Sequence, residues 1–267
     1  MKGIITIAGL LLSLTSIAQD EELKKTEELF RDFVSAVEGD DKEAVAKMID
    51  YPLRRNNPIP DIQNEDEFIK YYDYIIDDSF KEILISVVDD PEIDMIDRSG
   101  ATGKVGFVNG KIWMIYGEYE QPITTINYSS AAEQLLAKNL DRSIRKLLPE
   151  KIANFERNVY MGMSEDHIVR IDELEDGYRY ISWSAGVSCQ DEPDLVLEGG
   201  EIIPQGSAGG VWYKFSNGNY TYYLKRIRMA ETAEQAGEFL TVEKNGKEIG
   251  RWKLKNINNQ LVYIGSN

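Results

Sequence analysis

Four Asn-Gly or Asp-Gly dipeptides, each lying between two strand-like runs, constrain the fold more than any other feature of this chain. They are Asn109-Gly110, Asp176-Gly177, Asn217-Gly218 and Asn245-Gly246. Such dipeptides adopt the positive φ angles of a two-residue type I′ turn, so each one predicts a β-hairpin. Three of the four lie beyond residue 150. The second half of the chain is therefore predicted to be an antiparallel meander, closed into a small barrel or folded as a sandwich.

The first half has the three- and four-residue apolar spacing of amphipathic helices. Residues 21–38 place their apolar side chains on one face of a predicted helix. Asp40 with Glu43, and Asn64 with Glu67, have the spacing of capping boxes and predict the starts of two further helices.

From about Glu82 the apolar period shifts towards two, which predicts strands. Counting outward from Asn109-Gly110 pairs Phe107 with Ile112 and Val105 with Met114 on one apolar face. Helices followed by an antiparallel sheet predict an α+β first domain.

Ser130 and Glu133 predict the start of another helix, which we interpret as a connector between two domains. Residues 191–210 are rich in glycine and predict a long loop. The predicted organisation is a signal peptide over 1–18, an α+β domain over 19–127, a helical connector over 128–152 and an antiparallel β domain over 153–267.

The first residues have the three parts of a secretory signal peptide. Met1-Lys2 is positively charged, residues 3–14 are uncharged and mostly apolar, and Ser16 to Ala18 supply small residues before Gln19. We therefore expect cleavage between Ala18 and Gln19 and an exported protein, periplasmic or extracellular. No later stretch has the roughly 18 apolar residues that cross a bilayer, so no membrane span is expected in the mature chain.

The composition of the chain limits which ligands and which catalytic or metal sites are expected. The chain has 30 Lys and Arg against 46 Asp and Glu, a formal net charge of −16. This charge repels phosphate backbones and favours basic partners, so nucleic acid is not an expected ligand. The chain has one histidine, His167, and one cysteine, Cys189. No family signature surrounds either residue, and we predict no catalytic residue, no metal site and no cofactor.

Three segments of the first half resemble the nuclear-transport-factor-2-like (SnoaL-like) superfamily in the order of their elements. They are FRDFVSAVEGDDKEAVAKMIDYPL (30–53), NEDEFIKYYDYII (64–76) and VGFVNGKIWMI (105–115). The same segments look like secreted proteins of Bacteroidota, whose companion β domain is similar to YRYISW (178–183), PDLVLEGG (193–200), YKFSNGNYTY (213–222) and LTVEKNGKEI (240–249). The resemblance implies a conical pocket, used by some members for catalysis and by many for binding or assembly. The Asp/His catalytic pairs of the enzymatic members have no match here.

Aromatic residues of the β domain are the candidate binding site. A turn at Asn217-Gly218 places Trp212 opposite Tyr223, on the face away from the apolar side of the hairpin. An exposed Trp–Tyr pair can anchor a partner or stack on a sugar. Tyr180 and Trp183 are similar candidates; the alternative for all four residues is burial in a core.

Three functional hypotheses follow. The first is a non-catalytic exported protein that binds an unknown protein or glycan, basic in one version, or a small apolar molecule. The second is an enzyme with acid–base groups in the SnoaL-like pocket, which a buried carboxylate with a raised pKa would favour. The third is a structural component of the cell envelope.

Overall fold

The structure of the chain, a computed structural model, forms two compact units. It describes residues 5–89, 96–97, 103–205, 210–227, 230, 232 and 234–257; side chains are described from residue 21 and not at 96–97. One unit comprises residues 1–54 and 61–136, and the other residues 55–60 and 137–267. The division at 136/137 falls inside the predicted connector, and the sequence did not predict that residues 55–60 belong with the second unit.

The helices of the first unit are α1 (Ile5–Glu38), α2 (Lys42–Lys47), α3 (Glu65–Ile75) and α4 (Asp78–Val87). At α3 the predicted cap is confirmed, since Asn64 Oδ1 accepts a hydrogen bond from the backbone N–H of Glu67 at 3.0 Å. The cap of α2 is Asp41, whose Oδ1 accepts from the N–H of Ala44 at 2.9 Å, and the prediction of Asp40 was wrong.

Helix α4 overturns the prediction of strands from Glu82 onward. Its β-branched residues favour a strand by propensity, but Phe80 and Leu84 lie one helical turn apart and are both fully buried. Asp77 caps the helix by accepting from the N–H of Phe80 at 2.9 Å. Burial of one helical face therefore outweighs the local strand preference.

The sheet of the first unit is antiparallel and contains strands β1 (Ile96–Asp97), β2 (Lys104–Phe107), β3 (Ile112–Ile115) and β4 (Ile123–Ile126) in that order. The predicted register is confirmed, with Phe107 paired to Ile112 and Val105 to Met114. The helices pack on this sheet, and the ring of Phe30 from α1 stacks on Phe107 with centroids 4.4 Å apart. The α+β class of the first half is thus confirmed.

Helices α5 (Ala131–Arg145) and α6 (Glu150–Ala153) follow the sheet. The predicted cap at Ser130 is confirmed, because its Oγ accepts from the N–H of Glu133 at 2.8 Å. None of the described helices has the length and apolar character that a bilayer crossing requires. The predicted signal peptide falls on residues 1–4, outside the described residues, and on the start of α1.

The second unit contains a closed antiparallel barrel of eight consecutive strands. They are β5 (Arg157–Met163), β6 (His167–Leu174), β7 (Gly177–Ser184), β8 (Leu195–Pro204), β9 (Val211–Asn217), β10 (Tyr220–Ile227), β11 (Gly237–Lys244) and β12 (Lys247–Asn256). Each strand pairs with the next, and β12 closes on β5 through the pairs Lys255–Met163 and Asn256–Gly162. Of the two predicted architectures, the barrel is the one observed. Strand β8 occupies ten residues of the predicted 191–210 loop, so that prediction was wrong; residues 206–209 lie outside the described residues.

The hairpin of β9 and β10 turns one residue later than predicted. Asn217 pairs with Tyr220, which leaves Gly218 and Asn219 in the turn. Gly218 has a φ of +60°, whereas Asn219 has a negative φ, as in a type II′ turn with glycine at its first central position. The partner of each residue shifts by two, so every side chain keeps its predicted face.

Aromatic and aliphatic side chains fill the barrel interior. The buried set is Tyr160, Val169, Ile171, Tyr180, Leu197, Tyr213, Phe215, Leu224, Leu240, Val242 and Leu254. Large interior rings lie over glycines of the barrel wall, as Phe215 does over Gly200. Filling by side chains is the usual state of an eight-stranded barrel of this size.

Candidate functional site

Trp212 and Tyr223 lie on the outer face of β9 and β10. Their strands pair Trp212 with Lys225 and Lys214 with Tyr223, so the two aromatic residues are diagonal neighbours rather than directly opposite. The ring centroids are 6.2 Å apart at an angle of 73°, an edge-to-face contact. Both side chains are partly exposed. The structure therefore brings this predicted pair together at the surface.

Lys225 completes a cluster with these two rings. Its Nζ lies 4.6 Å from the ring centroid of Trp212 and 5.0 Å from that of Tyr223. Both distances are within the range of a cation–π interaction. The ammonium is held by aromatic faces and remains available to an anion at the surface.

The same arrangement continues onto β11 and β12. Phe239 pairs with Lys225 on one side and with Lys253 on the other. The Arg251 guanidinium lies 4.3 Å from the Phe239 ring centroid, and Lys253 Nζ lies 5.8 Å from it. One row across the strands thus alternates between ring and cation. We call this surface the basic–aromatic face and define it by Trp212, Lys214, Tyr223, Lys225, Phe239, Arg251 and Lys253.

The cations of the basic–aromatic face have no carboxylate partner among the described residues. Some arginines elsewhere in the barrel unit do have such partners, as Arg157 has Glu173 at 2.7 Å and Arg226 has Glu238 at 3.1 Å. Partial burial beside Glu243 raises the pKa of the Tyr223 phenol, so this ring stays neutral. Within the described part of the chain, the face is consequently a cluster of four cations without a direct ion pair, on a chain of net charge −16, with Glu201 opposite Lys214 and Glu243 beside Tyr223 at its border.

Tyr180 and Trp183 are not at the surface, and their prediction as contact residues was wrong. Tyr180 is 2% exposed and Trp183 is 1% exposed. Tyr180 points into the barrel, where its ring packs against Phe215 and Tyr222. Trp183 points outward but packs with residues of α5 and α6, and its Nε1 donates to the carbonyl oxygen of Asp191 at 2.9 Å. Both faces of β7 are covered, so alternation along the strand does not expose either side chain.

A buried ionic cluster lies on the covered outer side of β6 and β7. Asp172 Oδ1 lies 2.7 Å from a nitrogen of Arg170, and Asp172 Oδ2 lies 3.1 Å from a nitrogen of Arg179. Arg179 also donates to the carbonyl oxygens of Ile152 and Asn154, at 2.7 and 2.9 Å. The cluster therefore ties the end of α6 to the barrel wall, which is a structural role.

Asp141 of α5 is close to the same cluster. It is 5% exposed, and burial raises the pKa of its carboxyl to about 6 against the opposing attraction of Arg170 and Arg145. Burial thus brings the pKa of the Asp141 carboxyl close to neutrality. It belongs to the barrel unit and not to the helices and sheet of the first unit.

The cysteine and the histidine both pack against other side chains of the barrel unit. Cys189 is 1% exposed, and burial raises the pKa of its thiol to about 12, so the reactive thiolate is scarce at neutral pH. The ring of His167 packs edge-on against Trp252 with centroids 4.7 Å apart. In the part of the chain that the structure describes, no three His, Cys, Asp or Glu side chains are grouped to hold a metal ion.

Comparison with known proteins assigns no family. The chain matches no protein-family model, no curated protein and no solved structure. The basic–aromatic face therefore has to be interpreted from its own geometry. Sequence reasoning found Trp212 and Tyr223 through the two-residue period, but missed Phe239 and the cations Lys225, Arg251 and Lys253. The available signal was a cation two residues after Tyr223, and two cations two residues apart at Arg251 and Lys253.

Proposed function

We propose that this protein is an exported, non-catalytic binding protein that holds an acidic polysaccharide on the basic–aromatic face of its barrel. The single observation that carries the proposal is the alternation of aromatic rings with cations that lack carboxylate partners. Export is supported by the charged, apolar and small-residue segments that precede Gln19. The order of helices and sheet supports a SnoaL-like first unit, resembling that of secreted Bacteroidota proteins.

The chemistry of the face fits a sugar polymer that carries charge. The partly exposed rings of Trp212 and Tyr223 offer flat apolar surfaces on which the C–H faces of a sugar ring can stack, while ammonium and guanidinium groups bind carboxylate or sulfate. Phe239 is only 5% exposed and serves to position the cations around it. An apolar ligand would leave the cations of the face desolvated without partners, which is unfavourable. A neutral glycan would use the rings alone.

The spacing of the cations favours a polysaccharide over a nucleic acid. Lys225 and Lys253 lie two strands apart, about 10 Å, with Phe239 between them. A polysaccharide with one carboxylate in each disaccharide carries its charges farther apart than a phosphate backbone does. The net charge of −16 also repels the denser polyanion more strongly.

The direct test is calorimetric titration of the full mature chain with a hyaluronan oligosaccharide. We expect binding to hyaluronan and none to a dextran oligosaccharide of equal length. Trp212→Ala should weaken hyaluronan binding about 30-fold, because a central aromatic anchor contributes about 2 kcal/mol. Lys225→Gln should weaken it about tenfold.

Two controls separate binding from folding. Lys244→Gln removes a lysine whose Nζ lies 4.9 Å from the Tyr220 ring, outside the face, and should leave binding unchanged. Tyr213→Ala removes a ring that is 7% exposed in the barrel interior and should lower the melting temperature far more than Trp212→Ala.

Other ligands give distinct results. Tighter binding of oligothymidylate would assign the face to single-stranded nucleic acid, and tighter binding of polyglutamate to an acidic protein segment. Either result overturns the proposal, as does an equal affinity for dextran, because charge would then have no role. Equal losses of melting temperature in Trp212→Ala and Tyr213→Ala would place Trp212 in the core.

A further inference from the structure

A small polar cavity of about 170 Å³ lies at one end of the barrel. Two of its lining residues, Tyr213 and Arg226, directly follow the face residues Trp212 and Lys225 in the chain, so their side chains point to the other side of the sheet. The end is the one at which β5, β9 and β11 begin and β10 and β12 finish. Three guanidinium groups, three carboxamides and one phenol dominate its lining, which consists of Arg55, Asn56, Asn57, Arg157, Val159, Tyr213, Arg226 and Asn256. Three arginines thus converge on one cavity of a chain that has 16 more acidic than basic residues.

Two of the arginines are held in place by carboxylates of neighbouring strands. Arg157 donates from Nε and Nη2 to Glu173 Oε2, at 3.0 and 2.7 Å. Arg226 donates from Nε to Glu238 Oε1 at 3.1 Å. A guanidinium has five N–H groups, so each arginine keeps N–H groups that are not used on its carboxylate. Pairing therefore fixes the two guanidinium groups without using up their donors.

The loop that carries Arg55 is anchored to the barrel wall. Asn57 Nδ2 donates to Asn158 Oδ1 at 3.1 Å, and Asn158 Nδ2 donates to Asp172 Oδ1 at 3.1 Å. Asn158 and Asp172 are both fully buried. The cavity wall formed by residues 55–57 is thus connected by hydrogen bonds to the buried ionic cluster, which gives it a defined position.

The interior of the barrel limits what the cavity can hold. Tyr213 lines the cavity and belongs to the packed interior cluster, and the Tyr160 ring lies 5.7 Å from the Arg226 guanidinium. A volume of about 170 Å³ corresponds to about five or six water molecules. A ligand of this size is a small organic ion and not a nucleotide or a lipid.

We infer that this cavity binds a small hydroxylated carboxylate such as a sugar acid. Forked guanidinium donors match the two oxygens of a carboxylate, and the carboxamides and the phenol supply both donors and acceptors for hydroxyl groups. A bare inorganic oxyanion would use the arginines and leave the Asn56 amide and the Tyr213 phenol to water. The cavity is lined by Tyr213 of the barrel interior, whereas the proposed polysaccharide surface is on the outer face, so either proposal can fail without the other.

The test is calorimetric titration of the full mature chain with D-glucuronate, D-glucose and inorganic phosphate. We expect saturable binding of glucuronate, no binding of glucose, and weaker binding of phosphate. Asn56→Asp adds a carboxylate to the lining without removing an ion pair, and should weaken glucuronate binding about tenfold through like-charge repulsion. The matched control is Asn217→Asp, at the opposite end of the barrel, which should have no effect.

A second variant addresses the arginines directly. Removing Arg226 alone would leave Glu238, whose side chain is 15% exposed, without its partner, so the double change Arg226→Gln/Glu238→Gln is preferable. It should weaken glucuronate binding about tenfold while the chain remains folded by circular dichroism. Lys244→Gln, which lies outside both the cavity lining and the basic–aromatic face, should leave glucuronate binding unchanged.

Four outcomes would overturn the inference. They are no glucuronate binding, equal binding of glucose, phosphate binding as tight as glucuronate, and loss of glucuronate binding in Trp212→Ala but not in Asn56→Asp. The last result would assign glucuronate to the basic–aromatic face.

Discussion

Gly200→Ala should destabilise the barrel because the interior ring of Phe215 occupies the space of the missing side chain. A Cβ at residue 200 would lie 2.0 Å from Phe215 Cε1 and 2.6 Å from its Cδ1. The φ of Gly200 lies outside the left-handed region, so backbone strain does not contribute. Phe215 is 1% exposed, and its ring lies 5.6 Å from that of Tyr180, so it has little room to move.

The magnitude follows from the cost of overpacking. Forcing one methyl group into a packed core destabilises by about 1–3 kcal/mol. For a unit of this size, each kcal/mol lowers the melting temperature by about 2–4 °C. We therefore expect a loss of about 2 kcal/mol and about 4–8 °C, measured by urea unfolding and by calorimetry.

A double-mutant cycle isolates the contact. In a Phe215→Leu background the clashing ring atoms are absent, so Gly200→Ala should then change the unfolding free energy by less than about 0.5 kcal/mol. Gly39→Ala is the matched control, since its Cβ would meet its nearest neighbour at 3.4 Å. Additive losses in the cycle, or an equal loss for Gly39→Ala, would show that the ring of Phe215 is not the cause.

Three further results are expected. Burial raises the pKa of the Asp141 carboxyl from 3.8 to about 6, so its contribution to stability is present below about pH 4 and is lost as the pH rises to about 6. The unfolding free energy of Asp141→Asn relative to the wild type should therefore rise across that interval. A difference that does not change with pH would contradict the assigned burial. Cys189, with a pKa raised to about 12, should not react with a thiol reagent in the folded protein and should react fully in urea. Mass spectrometry of the protein secreted by its host should show Gln19 as the first residue, and an intact Met1 would refute export by cleavage after Ala18.

Local signals in the sequence predict the elements of this fold better than their closure. The Asn-Gly turn at 109–110 predicts its register correctly, because a two-residue loop fixes the pairing of adjacent strands. The pairing of β12 with β5, which closes the barrel, joins residues about 90 positions apart and leaves no local pattern. The sequence alone therefore does not distinguish a barrel from a sandwich.

The candidate site was predictable to the same extent. The face of Trp212 follows from alternation along one hairpin and survives the one-residue shift of the turn. Phe239 and Lys253 join the site through the pairing of further strands, which no spacing within a single hairpin specifies. For Trp183 the strand alone did not reveal burial. Its side chain points to the outer side of the barrel, but residues of α5 and α6 cover that side, and no pattern within the strand predicts the cover.

The net charge of the chain makes a prediction about salt that distinguishes this face from an ordinary basic surface. At about 0.01 M ionic strength the screening length is about 30 Å, so the overall charge of −16 repels a polyanion as it approaches. At about 0.1 M it falls to about 10 Å, which screens distant carboxylates more than cations in direct contact with the ligand. Hyaluronan affinity should therefore first rise and then fall as salt increases. A net-basic protein would show a decrease throughout. A monotonic decrease here would refute the prediction, because the local cations would then outweigh the net negative charge of the chain even at low salt.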